Sequence, residues 1–110
     1  METTPRTLLN YRTVNNREPF QEWLRGLKDR DGRAKIRIRL NRVEQGNFGK
    51  HKGVGEGVIE LIIDFGPGYR VYVGEDGDQV ILLCGGDKST QDSDINKAKG
   101  LWRNYNAEED

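Results

Sequence analysis

Glycine is concentrated in one stretch of this chain, and that stretch limits where a sheet can form. Nine of the fourteen glycines lie between residues 46 and 77, where they separate short segments rich in valine, isoleucine and tyrosine. Glycine adopts the backbone angles that tight hairpin turns require, so this spacing is typical of antiparallel strands. The stretch therefore predicts several strands rather than a flexible linker.

Helical patterns flank the glycine-rich stretch. Apolar residues recur at i, i+3, i+4 and i+7 over residues 20–27, and a second such pattern over 33–45 carries lysine and arginine on its other faces. Joined by a short polar turn, these two segments predict an antiparallel helical hairpin. Residues 7–14 predict a weak first strand, and the apolar spacing over 95–105 predicts a C-terminal helix.

The order of these elements is that of an α+β fold: a two-layer domain with a helical hairpin packed on a small antiparallel sheet and a C-terminal helix. A chain of 110 residues can bury enough surface on folding to form one core, so we expect a single domain over 1–110. We expect its acidic tail, 106–110, to be frayed. The longest apolar run is only the five residues from Val80 to Cys84, and no signal-peptide stretch begins the chain. We therefore expect a soluble, cytoplasmic protein that does not bind membranes.

Charge is divided unevenly although the formal net charge is zero. Residues 1–52 hold thirteen Lys and Arg and six Asp and Glu, whereas residues 53–110 hold five and twelve. Salt screens charges beyond about 8–10 Å, so a basic half can attract a polyanion even on a neutral molecule. A solvated helix face has the same composition, and charge alone leaves both interpretations open.

Several common kinds of site are missing from the sequence. No glycine loop with a following Lys-Ser or Lys-Thr has P-loop spacing, and the nearest segment, 85–89, lacks the first glycine of that motif. His51 is the sole histidine, the acidic residues show no ligand spacing, and no Gly-x-Ser-x-Gly elbow occurs. Cys84 has no second cysteine to pair with, which predicts a buried structural thiol. We expect neither a metal nor another cofactor.

One face of the predicted sheet combines apolar and charged side chains. A turn at residues 66–68 would place Arg70 opposite Asp64 on the face that points away from the helical hairpin. A guanidinium there suits an anionic ligand, because its donors match two phosphate oxygens and it stays charged at any working pH. The alternative is a cross-strand ion pair between Arg70 and Asp64. The same face is predicted to contain Glu60, Ile62, Tyr72, Ile81 and Leu83.

Three segments together carry a resemblance to a known family. They are Phe20-Gln21-Glu22-Trp23-Leu24, Gly66-Pro67-Gly68-Tyr69-Arg70-Val71-Tyr72 and Leu82-Leu83-Cys84-Gly85-Gly86-Asp87-Lys88-Ser89-Thr90-Gln91. With these motifs the chain resembles the addiction-module killer branch of the RelE/ParE-like (HigB-like) toxin superfamily over nearly its whole length. The resemblance implies a toxin of a type II toxin–antitoxin module, in a fold that agrees with the order of elements predicted above.

The resemblance also implies a mechanism. Many relatives are mRNA interferases, endoribonucleases that cut messenger RNA on the ribosome without a metal, using the 2′-hydroxyl beside the scissile phosphate as nucleophile. The protein then contributes positioning and charge. By motif, the catalytic candidates are Arg70, Lys88, Glu60 and His51. The RNA-binding candidates are Lys50, Lys52, Arg33, Arg37 and Tyr72. For His51, Lys50 and Lys52 the alternative is an ordinary solvated loop side chain.

The implied partners are the ribosome, messenger RNA and a cognate antitoxin, a small helix-turn-helix DNA-binding protein. One position departs from the family pattern: related sequences commonly have arginine where this chain has Ile62. Losing that cation from the cleft face would lower nuclease activity or mark a different target. Two alternatives therefore stay open, a non-catalytic toxin of the gyrase-poisoning kind and a decayed module that retains only antitoxin binding.

Overall fold

The fold of this chain, seen in a computed structural model that describes residues 4–109, combines helices with one mixed sheet. The described residues form three α-helices and five strands. In chain order these are β1 (Thr7–Asn10), α1 (Pro19–Gly26), α2 (Arg30–Glu44), β2 (His51–Gly55), β3 (Val58–Ile63), β4 (Tyr69–Asp76), β5 (Gln79–Asp87) and α3 (Gln91–Glu109), with a single 3₁₀ turn at Lys88–Thr90 before the last helix. The predicted α+β fold with a C-terminal helix packed on the sheet is confirmed, and the sheet is mixed where a purely antiparallel one is predicted.

The sheet has the strand order β1-β5-β4-β3-β2. Strands β2 to β5 form an antiparallel meander, as the glycine spacing predicts, and β1 adds a parallel partner along β5. The predicted first strand over 7–14 ends earlier, at Asn10. None of the helices within residues 4–109 combines the length and the apolar character needed to cross a bilayer.

Helices cover both faces of the sheet. The odd-numbered face of β3 packs against α1 and α2, as the alternation of apolar residues predicts, with Leu61 and Ile63 beside Phe20 and Ile36. The opposite face packs under α3 around Tyr72, Trp102 and other buried side chains. A side chain on the sheet is therefore assigned to one of two separate environments by its position in the strand.

The two long helices, α2 and α3, differ from their predicted bounds. Helix α2 begins at Arg30, three residues before the predicted start, because the Asp29 side chain accepts a hydrogen bond from the backbone N–H of Gly32. Helix α3 continues to Glu109, so residues 106–109, for which the sequence predicts fraying, are helical. The end of that predicted tail, Asp110, lies outside the described residues.

The turn between β3 and β4 is longer than predicted. Strand β3 ends at Ile63, and residues 64–68 form the loop, in which Gly68 N–H donates to the carbonyl of Phe65. Arg70 consequently lies opposite Ile62 and not opposite Asp64. The slip is two residues, so each side chain keeps its predicted face while its cross-strand partner changes. The predicted alternative of an ion pair between Arg70 and Asp64 is wrong.

A β-bulge displaces the last strand. Tyr72 pairs with Cys84 and Val73 with Leu82, which leaves Leu83 as the extra residue. Leu83 and Cys84 are both buried in the core under α3. Burial raises the pKa of the Cys84 thiol to about 12, so the group stays protonated at neutral pH. The prediction of a buried structural thiol is confirmed.

Candidate anion-binding site

Arg70 lies near the start of β4, on the face of the sheet covered by α3. Its side chain is only 10% exposed. Nη1 donates to the carbonyl of Tyr69 over 3.2 Å, while Nε lies 3.9 Å from Glu60 Oε1 and has no hydrogen-bond partner. The guanidinium is thus held close to a carboxylate without being fully paired to it.

An open hollow of about 330 Å³ adjoins Arg70. The β3–β4 turn forms one wall, and exposed Lys88, just past β5, forms another. Gly66 and Gly68 have φ angles of 56° and 83°, a left-handed conformation that glycine adopts without strain. A side chain at Gly68 would place its Cβ 3.4 Å from Arg70 Nη1, so glycine there adds no side chain against the guanidinium. Two cations, Arg70 and Lys88, therefore share one hollow.

Glu60 is fully buried on β3, and its contacts are structural. Its Oε2 accepts hydrogen bonds from the hydroxyl of Tyr72 and from Nε2 of Gln91, each over 2.9 Å. Its Oε1 faces Arg70 and, at 3.8 Å, the ammonium of Lys52. This carboxylate has no exposed surface, and its Oε1 lies beside the cations that it positions. Its role in proton transfer stays a prediction.

Tyr72, a predicted RNA-binding residue, is buried with Glu60. The side chain has no exposed surface, and its hydroxyl is directed to the carboxylate. Burial first, and then the hydrogen bond to Glu60, raise the pKa of Tyr72. The hydroxyl is therefore a permanent donor that holds Glu60 in place under α3.

The two predicted loop lysines lie at the edge of the sheet beside this network. Lys52 belongs to β2 and pairs with Glu60 across the strands. Lys50 Nζ donates to Asp64 Oδ2 over 2.8 Å, and this hydrogen bond lowers the pKa of the Asp64 carboxyl. Both side chains are more than half exposed, at 61% for Lys50 and 57% for Lys52. Lys52 remains available to a polyanion at this edge, whereas Lys50 is already paired with Asp64.

His51 points to the other side of the sheet. It pairs with Leu61, a residue of the core under α1 and α2, so its ring lies on the helical-hairpin face. Nδ1 is 2.7 Å from the carbonyl of Gly49, and the ring packs edge-on against Phe48. The sheet separates this ring from Arg70, so the structure does not bring the two predicted catalytic side chains together, and the role of His51 stays a prediction.

Arg33 and Arg37 belong to α2 and therefore also lie on the helical-hairpin side. Arg33 donates to the carbonyl of Leu27 and so contributes to the connection between α1 and α2. Arg37 is exposed beside a groove between the two helices and β1. Neither lines the hollow of Arg70, so the predicted RNA-binding set is not brought together in one place.

Three other cations of α2 form a second hollow that the prediction of site residues missed. Lys35, Arg39 and Arg42 line a depression of about 390 Å³ whose floor includes Ile63 and Phe65. Arg39 donates to the carbonyl of Lys50 over 3.0 Å, and partial burial and the neighbouring Arg42 lower its pKa. The spacing i, i+4, i+7 was the available signal, since it places these cations on one helix face.

The two hollows meet at the β3–β4 turn, because both are lined by Asp64 and Phe65. Within residues 4–109, none of Lys35, Arg39, Arg42 or Lys88 forms an ion pair with a carboxylate. No group of three or more potential metal ligands occurs in that part of the chain. The arrangement is suited to binding an extended anion around the turn.

A protein of Haemophilus influenzae, described as uncharacterized, is 56% identical to this chain over 83 residues, which are 74% of this chain and 84% of the relative. No protein-family model matches the chain, and no solved structure matches it significantly.

Proposed function

We propose that this chain, which belongs to the same family as the uncharacterized Haemophilus influenzae protein, is the toxin of a type II toxin–antitoxin module and a metal-independent, ribosome-dependent mRNA endonuclease. The observation that carries this proposal is the hollow in which Arg70 and Lys88 stand together at the β3–β4 turn. Its partners in the proposal are messenger RNA on the ribosome and a helix-turn-helix antitoxin, and its location is the cytoplasm.

The chemistry available in the hollow is electrostatic. Where Arg70 lines the hollow beside the exposed ammonium of Lys88, the two cations can hold a phosphate and stabilise the charge that develops when a neighbouring 2′-hydroxyl attacks it and the 5′-oxygen leaves. Glu60 contributes indirectly, because its buried carboxylate holds Arg70 and Lys52 at 3.9 Å and 3.8 Å. Catalysis by this site depends on positioning and charge, with proton transfer left to Lys88, to solvent or to the ribosome.

One observation favours the alternative of a non-catalytic toxin. Ile62 lies directly opposite Arg70, at the position where the resembled family commonly has arginine. Two of the four predicted catalytic side chains, Glu60 and His51, are also not among the residues that line this hollow. A toxin that binds its target through the same cations without cutting RNA, as in the gyrase-poisoning kind, is therefore the second candidate.

The deciding experiment supplies purified protein to translating ribosomes with a defined messenger RNA and, in parallel, to a gyrase supercoiling assay. The proposal expects cut RNA and unaffected supercoiling. Lys88→Ala should reduce cutting at least tenfold, because one transition-state hydrogen-bond donor is worth roughly 10²–10³ in rate. Lys97→Ala, which removes an exposed lysine from α3, is the matched control and should cut normally.

Expression in growing cells gives an independent test. Arg70→Ala should restore growth while the soluble protein still binds its antitoxin, which separates loss of function from loss of folding. Intact RNA together with inhibited supercoiling would establish the second candidate. If wild-type protein affects neither assay nor growth, the toxin proposal is wrong.

A further inference from the structure

Phe65 lies between the two cationic hollows, and no other aromatic residue within residues 4–109 lines both of them. It lies in the β3–β4 turn, half-buried, and lines both cationic hollows. Its inner side packs on the core under α1 and α2. The ring is therefore fixed in place at the junction of two basic depressions.

Cations flank this ring on both sides. Lys35, Arg39 and Arg42 line the hollow on the α2 side, and Arg70 and Lys88 line the hollow on the α3 side. The single carboxylate that lines these hollows is Asp64, and the ammonium of Lys50 already neutralises it at 2.8 Å. Positive charge thus continues past the ring from one face of the sheet to the other.

The outer side of the Phe65 ring is near the ammonium of an exposed lysine. The ammonium of Lys35 lies 5.6 Å from the ring centroid, near the limit of about 6 Å for a cation–π contact. Lys35 is exposed, and its flexible side chain can move from the ring to a phosphate at little cost. The ring can therefore exchange this ammonium for a flat ligand.

We propose that Phe65 is a stacking platform for one base of a single-stranded RNA, whose phosphates bind the α2 cations on one side of the turn and Arg70 with Lys88 on the other. This inference rests on the proposed function and adds the path of the strand to it. An aromatic ring between two cationic hollows is the arrangement that binds single strands with little sequence preference, because every base has a π-face. In duplex RNA the bases are already stacked, so the platform selects unpaired strands.

An acidic peptide is the competing ligand for the same charges. Ile38, 49% exposed in the α2 hollow, would then serve as its apolar contact. Two features favour RNA. Cations line the hollows on both sides of the ring, so backbone phosphates on either side of a stacked base each meet a cation. A peptide seated on Ile38 would leave Arg70 and Lys88, on the other face of the sheet, without a contact.

The test is binding of a fluorescent single-stranded RNA, seven nucleotides long, to purified full-length protein, followed by anisotropy. Phe65→Leu, which keeps apolar volume and removes the aromatic face, should weaken binding roughly tenfold, the lower part of the range for loss of one base stack. Phe65→Tyr should bind as wild type. Ile38→Ala is the matched control in the same hollow and should also bind as wild type, and melting curves check that each variant is folded.

A set of RNAs with one abasic site moved along the strand distinguishes stacking from a structural role. At one position the abasic RNA should bind wild type and Phe65→Leu equally, because the stacked base is already absent. Equal affinity of folded Phe65→Leu and wild type for intact RNA overturns the inference, even if wild type cuts messenger RNA and the proposed function stands. Loss of binding in Ile38→Ala with capture of an acidic peptide, or no binding of RNA by wild type, also overturns it.

Discussion

Arg70 Nε and Glu60 Oε1 face each other across 3.9 Å, both buried and neither hydrogen-bonded within the described residues. Such a separation is too long for a hydrogen bond but short enough for a strong charge interaction in a partly desolvated site. The carboxylate is anchored from its other oxygen by Tyr72 and Gln91. The cation of the hollow is thus positioned by a buried group that never meets the ligand.

Tyr72→Phe should destabilise the fold by about 1–3 kcal/mol, since it removes a hydrogen bond to a buried carboxylate and leaves that oxygen with Gln91 alone. Urea denaturation followed by tryptophan fluorescence measures this. A double-mutant cycle of Tyr72→Phe with Glu60→Gln should show that the two changes in unfolding free energy are coupled. In the Glu60→Gln background the Tyr72 hydroxyl no longer donates to a charged carboxylate, so its removal costs less. Additive effects of the two substitutions would contradict a shared network.

Tyr69→Phe should raise the pKa of the Asp29 carboxyl. In the wild type the hydrogen bond from the Tyr69 hydroxyl is the main cause that lowers this pKa, and the N–H of Gly32 adds to it. A carboxyl with a depressed pKa stabilises the fold above its unfolded pKa of about 3.9, and this contribution is lost as pH falls through the lower folded value. Wild type should therefore lose this contribution at lower pH than Tyr69→Phe does. NMR titration of the Asp29 side chain measures the pKa directly, and an unchanged value in the variant would contradict the assignment.

Asp64→Asn should tighten binding of single-stranded RNA and steepen its salt dependence. The substitution removes the carboxylate that both hollows share and releases Lys50 for a phosphate. One added phosphate contact changes the slope of log affinity against log salt by about −0.7 for a single strand. Anisotropy titrations at several salt concentrations measure this slope. Asp78→Asn, at the exposed β4–β5 turn, removes the same charge at the other end of β4 and should leave the slope unchanged.

Gly74→Ala should destabilise the protein by about 1–3 kcal/mol through overpacking. A Cβ at this position in β4 would lie 2.5 Å from the ring of Trp102, which is buried under α3. Gly53→Ala in β2 is the control, because nothing lies within 4 Å of its Cβ. Thermal melting of both variants gives the comparison. Equal melting temperatures would mean that α3 does not pack on β4 as described.

Apolar periodicity in the sequence predicted the helices, glycine spacing predicted the meander, and the alternation of apolar residues in β3 predicted which of its faces packs against α1 and α2. The prediction held even where the β3–β4 turn was misplaced, since a slip of two residues returns every side chain to its own face. The cross-strand partner of Arg70 was wrong for the same reason. Asp64 continues the alternating pattern of β3 in the sequence, so its place in the turn is recognised only from the hydrogen bonds within the turn.

Which residues lie together in the candidate site depends on contacts between residues far apart in the chain. His51 and Lys52 are neighbours in sequence, yet alternation along β2 places them on opposite faces, and only the pairing with β3 shows which one meets Glu60. The basic spacing of Lys35, Arg39 and Arg42 was visible in the sequence, but their junction with Arg70 at Phe65 was not. Periodicity depends on residues close together in the sequence, so it can be recognised before folding. The two cationic hollows become neighbours at the β3–β4 turn only after the sheet and α2 have packed together.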